Sequence, residues 1–294
     1  CEDVLKERES MMVYELDRLK DGFFYCLFDT PDRVQHMFWR FNEPDHPANS
    51  VGRSNEWVGV IEDHYRRCDE IVGRALQYAD DETLVLALSD HGFGTYRREF
   101  HLNTWLLEHG FLSLEHGVDP GEGAGDLLQN VDWDNTKAYS VGFAGVYLNL
   151  EGREANGIVS QGSAEDVQAA ITAGLTGLRD SQFGTAPIRS VKRRSEVYTG
   201  DYAAESPDLV INFAEGFRAS STTALGGIPS QVFEDNVKPW SGDHVVDPDL
   251  VPGVFFSNRP FRDSGVSMLD MAPTILSAFG VSKGPKMEGG SIIE

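Results

Sequence analysis

Asp32 and His36 stand four residues apart in Thr30-Pro31-Asp32-Arg33-Val34-Gln35-His36. On a helix that spacing puts a carboxylate and an imidazole on one face, where both can grip a single cation. An acid in a first helical turn is also favoured by the helix dipole with no metal at all. Asp90 and His91 are adjacent in Ser89-Asp90-His91-Gly92-Phe93-Gly94, where the glycines let the backbone bend around a bound group. Gly242-Asp243-His244 is the third polar element. A lone loop histidine is ordinarily just solvated, but Asp32, His36, Asp90, His91 and His244 together offer hard oxygen and borderline nitrogen donors of the kind zinc prefers. Five donors exceed what one tetrahedral ion uses. Two ions about 4 Å apart, clamping a phosphoryl or related tetrahedral group, are the economical reading. Arg218, in Gly216-Phe217-Arg218-Ala219-Ser220, can meet a substrate phosphate with two parallel hydrogen bonds or stand as an exposed loop arginine.

The elements that must position these residues alternate. Residues 1–20 carry Val4, Leu5, Met12, Leu16 and Leu19 at helical spacing. The aromatic and apolar run 23–28 predicts a buried strand, and Thr30 as N-cap with Pro31 at the first helical position predicts a helix start. A long helix is predicted over 55–79 and a buried strand over 83–88. Fully apolar strands in strand-helix-strand order predict parallel pairing, with ligands gathered at the carboxyl ends of strands, where both polar clusters fall. A helix over 101–109 and a loop over 117–125 follow. Strands are expected at 138–141, 146–150, 188–197, 209–213 and 253–256, and helices at 164–178 and 268–279. Phe93, Tyr96 and Trp105 either line a pocket or belong to the core.

Composition excludes several classes. The 294 residues are 24% charged and 40% hydrophobic, which is globular rather than disordered. With 47 acidic against 25 basic residues the net charge is −22, so a nucleic-acid polymer would be repelled, and no basic patch offsets this. The run Lys192-Arg193-Arg194 reads as a solvated strand end. Three cysteines make no disulfide framework, and no apolar span is long enough to predict a membrane helix. A chain that begins at Cys1 is either a processed lipoprotein or a fragment, and the fragment is the reading adopted.

Five segments taken together resemble a known family. They are Asp32-Arg33-Val34-Gln35-His36; Ser89-Asp90-His91-Gly92-Phe93; Leu102-Asn103-Thr104-Trp105-Leu106 with Gly110-Phe111-Leu112; Gly242-Asp243-His244; and Leu269-Asp270-Met271-Ala272-Pro273-Thr274. From about Phe23 onward the chain resembles the type I phosphodiesterase/nucleotide pyrophosphatase branch of the alkaline phosphatase superfamily. The resemblance implies an α/β fold, a three-layer α/β/α sandwich of alkaline phosphatase type lacking its N-terminal strands. Residues 1–294 would be the C-terminal part of a single metallohydrolase domain, with 96–206 a possible insertion or cap.

By the same resemblance Asp32, His36 and His244 hold one zinc and Asp90 and His91 the other, so that two divalent ions serve as cofactors. The family places a further metal-binding Asp and a Thr or Ser nucleophile ahead of the Asp-x-x-x-His motif. Residues 1–22 show no strand ending in Asp with a capping hydroxyl after it, so the nucleophile is expected upstream of Cys1. Thr30 is assigned to the N-cap. The implied activity is hydrolysis of phosphodiester or nucleotide phosphoester bonds, weak or absent in this fragment, on a small-molecule substrate. The alternatives are a non-catalytic metal-binding module and a sulfatase, phosphonate hydrolase or phosphomutase-like member of the superfamily.

Overall fold

The computed structural model describes residues 1–52, 54–262 and 265–293. In chain order the helices are α1 (Glu2–Leu16), α2 (Thr30–Asn42), α3 (Val60–Leu76), α4 (Leu102–Glu108), α5 (Ala164–Thr176), α6 (Arg194–Val197), α7 (Ser221–Ala224) and α8 (Met271–Ala278). The strands are β1 (Leu86–Leu88), β2 (Gly94–Phe100), β3 (Ala138–Ser140), β4 (Gly145–Leu148), β5 (Ile188–Arg193), β6 (Leu209–Phe213), β7 (Gly216–Ala219), β8 (Phe233–Asp235), β9 (Gly242–Asp243) and β10 (Phe255–Ser257). The α/β class expected from the sequence is present. The chain divides into two units, residues 1–33, 61–92 and 252–294 in one and residues 34–60 and 93–251 in the other.

In the first unit α1 and α3 share a small core of Leu5, Met12 and Ile71, against which Phe24, Cys26 and Phe28 pack. Glu9, 5% exposed, is held there by ion pairs with Arg67 and Arg74 of α3. The predicted strand over 23–28 is not formed. Phe23, Tyr25 and Leu27 are exposed while their alternates face the core, so the period of two is real, but the run makes no ladder among the described residues. Apolar content sets an extended, two-faced segment; pairing needs a partner, which composition cannot supply. The predicted helix over 55–79 is also shorter. A 3-10 turn at Asn55–Trp57 precedes α3, and Gly59 between them has φ +88°, outside helical geometry.

β1 pairs with β10 antiparallel, not parallel as the strand-helix-strand order suggested. The ladder continues through Ser89, whose N–H donates to the Val254 carbonyl and whose hydroxyl accepts from the Val254 N–H, which anchors the Asp90-His91 turn. Asp270 and Thr274, from the last motif of the resemblance, are scaffold. Asp270 accepts from the N–H groups of Ser267 and Gly290, and the Thr274 hydroxyl accepts from the N–H of Ile292.

The second unit holds the larger core, built on Phe100, Leu102, Trp105, Leu106, Leu148, Ile171, Leu175, Leu209, Ile211 and Phe213. Full burial of such side chains contributes roughly 1.5–3 kcal/mol each. One antiparallel sheet runs β3-β4-β6-β5. In the other sheet β2 is central, parallel to β7 and antiparallel to β8 and β9. β2, β7, β8 and β9 were not expected from the sequence: three of them are only two to four residues long, too short to show a period. The Leu102-Asn103-Thr104-Trp105-Leu106 motif is again scaffold. Asn103 exchanges hydrogen bonds with the backbone of Ser140, Thr104 donates to the Pro229 carbonyl, and Trp105 is 1% exposed.

Candidate metal-binding residues

His36 lies on α2 and is 3% exposed. Its Nδ1–H donates to the Gly242 carbonyl at 2.7 Å, which places the ring's lone pair on Nε2, the nitrogen a metal would take. That bond requires β9 to lie hard against α2. A Cβ at Gly242 would stand 2.6 Å from the Gln35 carbonyl oxygen and 2.9 Å from Trp39 Cβ, so only glycine permits the approach. Trp240 stacks on the His36 ring at 3.6 Å between centroids, and Phe93 meets it edge-on at 4.7 Å. The His244 ring lies 5.3 Å from that of His36.

Asp243 supports this arrangement from beneath. It is 2% exposed; its Oδ1 accepts from the N–H groups of His244 and Val245, and its Oδ2 from Trp240 Nε1 and the Arg218 guanidinium. Burial alone would push its carboxyl up, but the Arg218 charge and these hydrogen bonds outweigh it, and the pKa falls below the usual carboxylate range. Arg218 is on β7, 4% exposed, not on an exposed loop as one sequence reading had it. Its Nε donates to the Ala219 carbonyl and Nη2 to Ser221 Oγ, and its plane lies 4.5 and 4.6 Å from the ring centroids of Tyr96 and Phe143.

In the first unit, Asp32 is in the first turn of α2, and Asp90 and His91 occupy the turn after β1. Asp32 and His91 offer ligand atoms within 4.8 Å of one another. His91 Nδ1–H donates to the carbonyl of Gly92 at 2.9 Å, again leaving the lone pair on Nε2, and Asp90 Oδ2 stands 3.5 Å from that nitrogen. Thr30 is the first residue of α2 rather than its cap. It is fully buried, and its hydroxyl hydrogen-bonds His64 Nε2 at 3.0 Å. Burial pushes the His64 pKa down, so this ring is neutral near pH 7.

Both histidines are thus held in the tautomer that suits a zinc-class ion, and carboxylates accompany them, so the donor chemistry fits a divalent metal. Sequence reasoning found the ligand-type residues but gave no role to Asp243 or Trp240. Their only signal was nearness to His244, and nothing in the sequence showed that Arg218, 25 residues before Asp243, pairs with that carboxylate.

The family description "Type I phosphodiesterase / nucleotide pyrophosphatase" matches residues 4–237, most of the chain. The chain belongs to this family of phosphodiesterase/pyrophosphatase-type hydrolases. The matched stretch takes in Asp32, His36, Asp90, His91 and Arg218, and His244 lies beyond it. No curated protein matches the chain. Among solved structures it is similar to human ectonucleotide pyrophosphatase/phosphodiesterase 5, at 15% identity and a TM-score of 0.43, over 90% of this chain and 54% of that one. The chain spans about half the length of that relative. No helix among the described residues is long and apolar enough to cross a membrane.

Proposed function

We propose that this chain acts in metal-dependent hydrolysis of phosphodiester or nucleotide phosphoester bonds. Asp32, His36 and His244 are the donors for one divalent ion and Asp90 and His91 for a second, zinc in both by donor type. When bound, the pair of ions supplies Lewis-acid charge against the phosphoryl oxygens. The chain's own residues orient that chemistry. The Gly242 carbonyl fixes the His36 tautomer, and Asp243 orders the backbone that carries His244. Trp240 and Phe93 cover the His36 ring. Arg218 works through Asp243 in this reading, since contact with a phosphate would require it to leave that carboxylate.

The observation that carries the reading is the shared anchoring of His36 and His91, each with Nδ1–H on a backbone carbonyl. Family membership supplies the reaction class. Zinc titration by calorimetry tests it: a tighter event lost in His244→Ala and a weaker one lost in Asp90→Ala are expected. Equal loss of both in either variant would indicate one shared site. Turnover is read on a chromogenic phosphodiester and its monoester, with zinc and after chelation; the expected activity is zinc-dependent, larger on the diester and abolished in Asp32→Ala. A folded chain that binds neither ion, or whose hydrolysis of the diester is unchanged by chelation, would overturn the reading.

A further inference from the structure

Glu99 on β2 and Glu234 on β8 are direct partners in an antiparallel ladder. Like charges in that position repel. Here the conflict is sharper because Glu99 is 3% exposed, so its charge is largely out of water. His101, two residues beyond Glu99, adds its imidazole to the same place: the three side chains offer ligand atoms within 4.8 Å of one another.

His101 is 1% exposed, and its Nε2 has no hydrogen-bond partner among the described residues. Glu234 Oε2 stands 3.5 Å from that nitrogen without completing a hydrogen bond. The other ring nitrogen is committed. Nδ1 bonds Ser220 Oγ at 2.7 Å, and that oxygen also accepts the N–H of Thr223 at the start of α7. Nε2 thus faces the carboxylate cluster with no hydrogen bond among the described residues, and in the tautomer in which Nδ1–H donates to Ser220 its lone pair is open to a cation. Burial pushes the His101 pKa down, against the upward pull of Glu234 and Glu99. An oriented, buried imidazole beside two carboxylates is the donor set of a divalent transition-metal ion.

We propose that Glu99, His101 and Glu234 form a further metal site, separate from the candidate catalytic residues, that binds a divalent first-row cation such as Zn²⁺ or Mn²⁺ and ties β8 to β2. Bonds of about 2.1 Å in a tetrahedral site separate ligand atoms by about 3.4 Å, so the present group closes with a modest side-chain shift. Glu234, 46% exposed at its side chain, is the arm able to make it. Lys238 is the built-in competitor. Its Nζ donates to Glu99 Oε1 at 2.6 Å, and at 51% side-chain exposure it can swing into water when an ion arrives.

The test is zinc binding to the 294-residue chain by equilibrium dialysis and calorimetry, with hydrogen exchange at β8 as a second readout. Wild type should show an event insensitive to both His244→Ala and Asp90→Ala, which keeps this site distinguishable from the proposed catalytic one. Glu234→Gln, a surface change that spares the fold, should weaken that event by about tenfold or more, as loss of a ligand or its orienting partner does. Lys238→Met should tighten it several-fold, and bound zinc should slow exchange in Phe233–Asp235. Identical zinc stoichiometry and affinity in wild type and Glu234→Gln, or weaker binding in Lys238→Met, would overturn the proposal.

Discussion

His91 and His36 present Nε2 by the same chemistry and are held by different means. His91 bonds the carbonyl of its own neighbour, Gly92, on a turn that keeps its side chain 26% exposed. His36 is 4% exposed at its side chain and bonds a carbonyl 206 residues away, on a strand that glycine alone lets into contact with α2. One imidazole is set by its local backbone, the other by tertiary packing. In the first unit the tautomer should therefore survive loss of surrounding structure, while in the second it is only as stable as the layer formed by Asp243, Arg218 and Trp240.

The sharpest way to break that contrast is Asp243→Ala. It strands the Arg218 guanidinium, which is 4% exposed, and removes the acceptor for two backbone N–H groups and the Trp240 indole. Denaturant unfolding should show a loss of about 3–5 kcal/mol. Zinc binding attributed to His244 should fall with it, while binding at Asp90 and His91 persists. Gly242→Ala is milder. Overpacking against Gln35 and Trp39 should destabilise by roughly 1–3 kcal/mol. Because the His36 anchor moves too, its zinc affinity should drop even where the chain remains folded at 25 °C.

A pH series sharpens the comparison further. The Asp243 pKa is lower in the folded chain than in the unfolded one, so its contribution is fully present above the ordinary value of 3.8 and disappears as pH falls through the folded value. The stability gap between wild type and Asp243→Asn should be constant near neutrality and narrow below about pH 4. A gap that widens on acidification would contradict the ion-pair account. The smallest effect on stability is expected at His91→Ala, within about 0.5 kcal/mol, because the ring is partly exposed and its bond is local. The weaker zinc event should nonetheless vanish. A large loss of stability there would mean that this turn, too, depends on distant packing.

Much of the ligand chemistry was legible because it is written locally. The i, i+4 spacing of Asp32 and His36 and the adjacency of Asp90 and His91 need no tertiary information, and Leu209–Phe213 is a strand where its apolar run says so. The failures share one cause. Residues 23–28 have a strand's composition but no ladder, β1 pairs with a strand about 170 residues away in the direction opposite to expectation, and β7, β8 and β9 are too short to carry a period. Arg218 looked like a loop residue because neither β7 nor its partner Asp243 leaves any mark near it in sequence.

The sequence by itself determined the donor types, the helix that carries Asp32 and His36, the glycines flanking the turns, and the family, since side-chain chemistry and short-range spacing are properties of the chain. Only tertiary structure decided which nitrogen of His36 bears the proton, which charge Arg218 neutralises, and that Glu99, Glu234 and His101 meet around an unsatisfied nitrogen. Those outcomes depend on hydrogen bonds and strand register between residues 25 to 206 positions apart, and such contacts are fixed only when the sheets pair and the core closes.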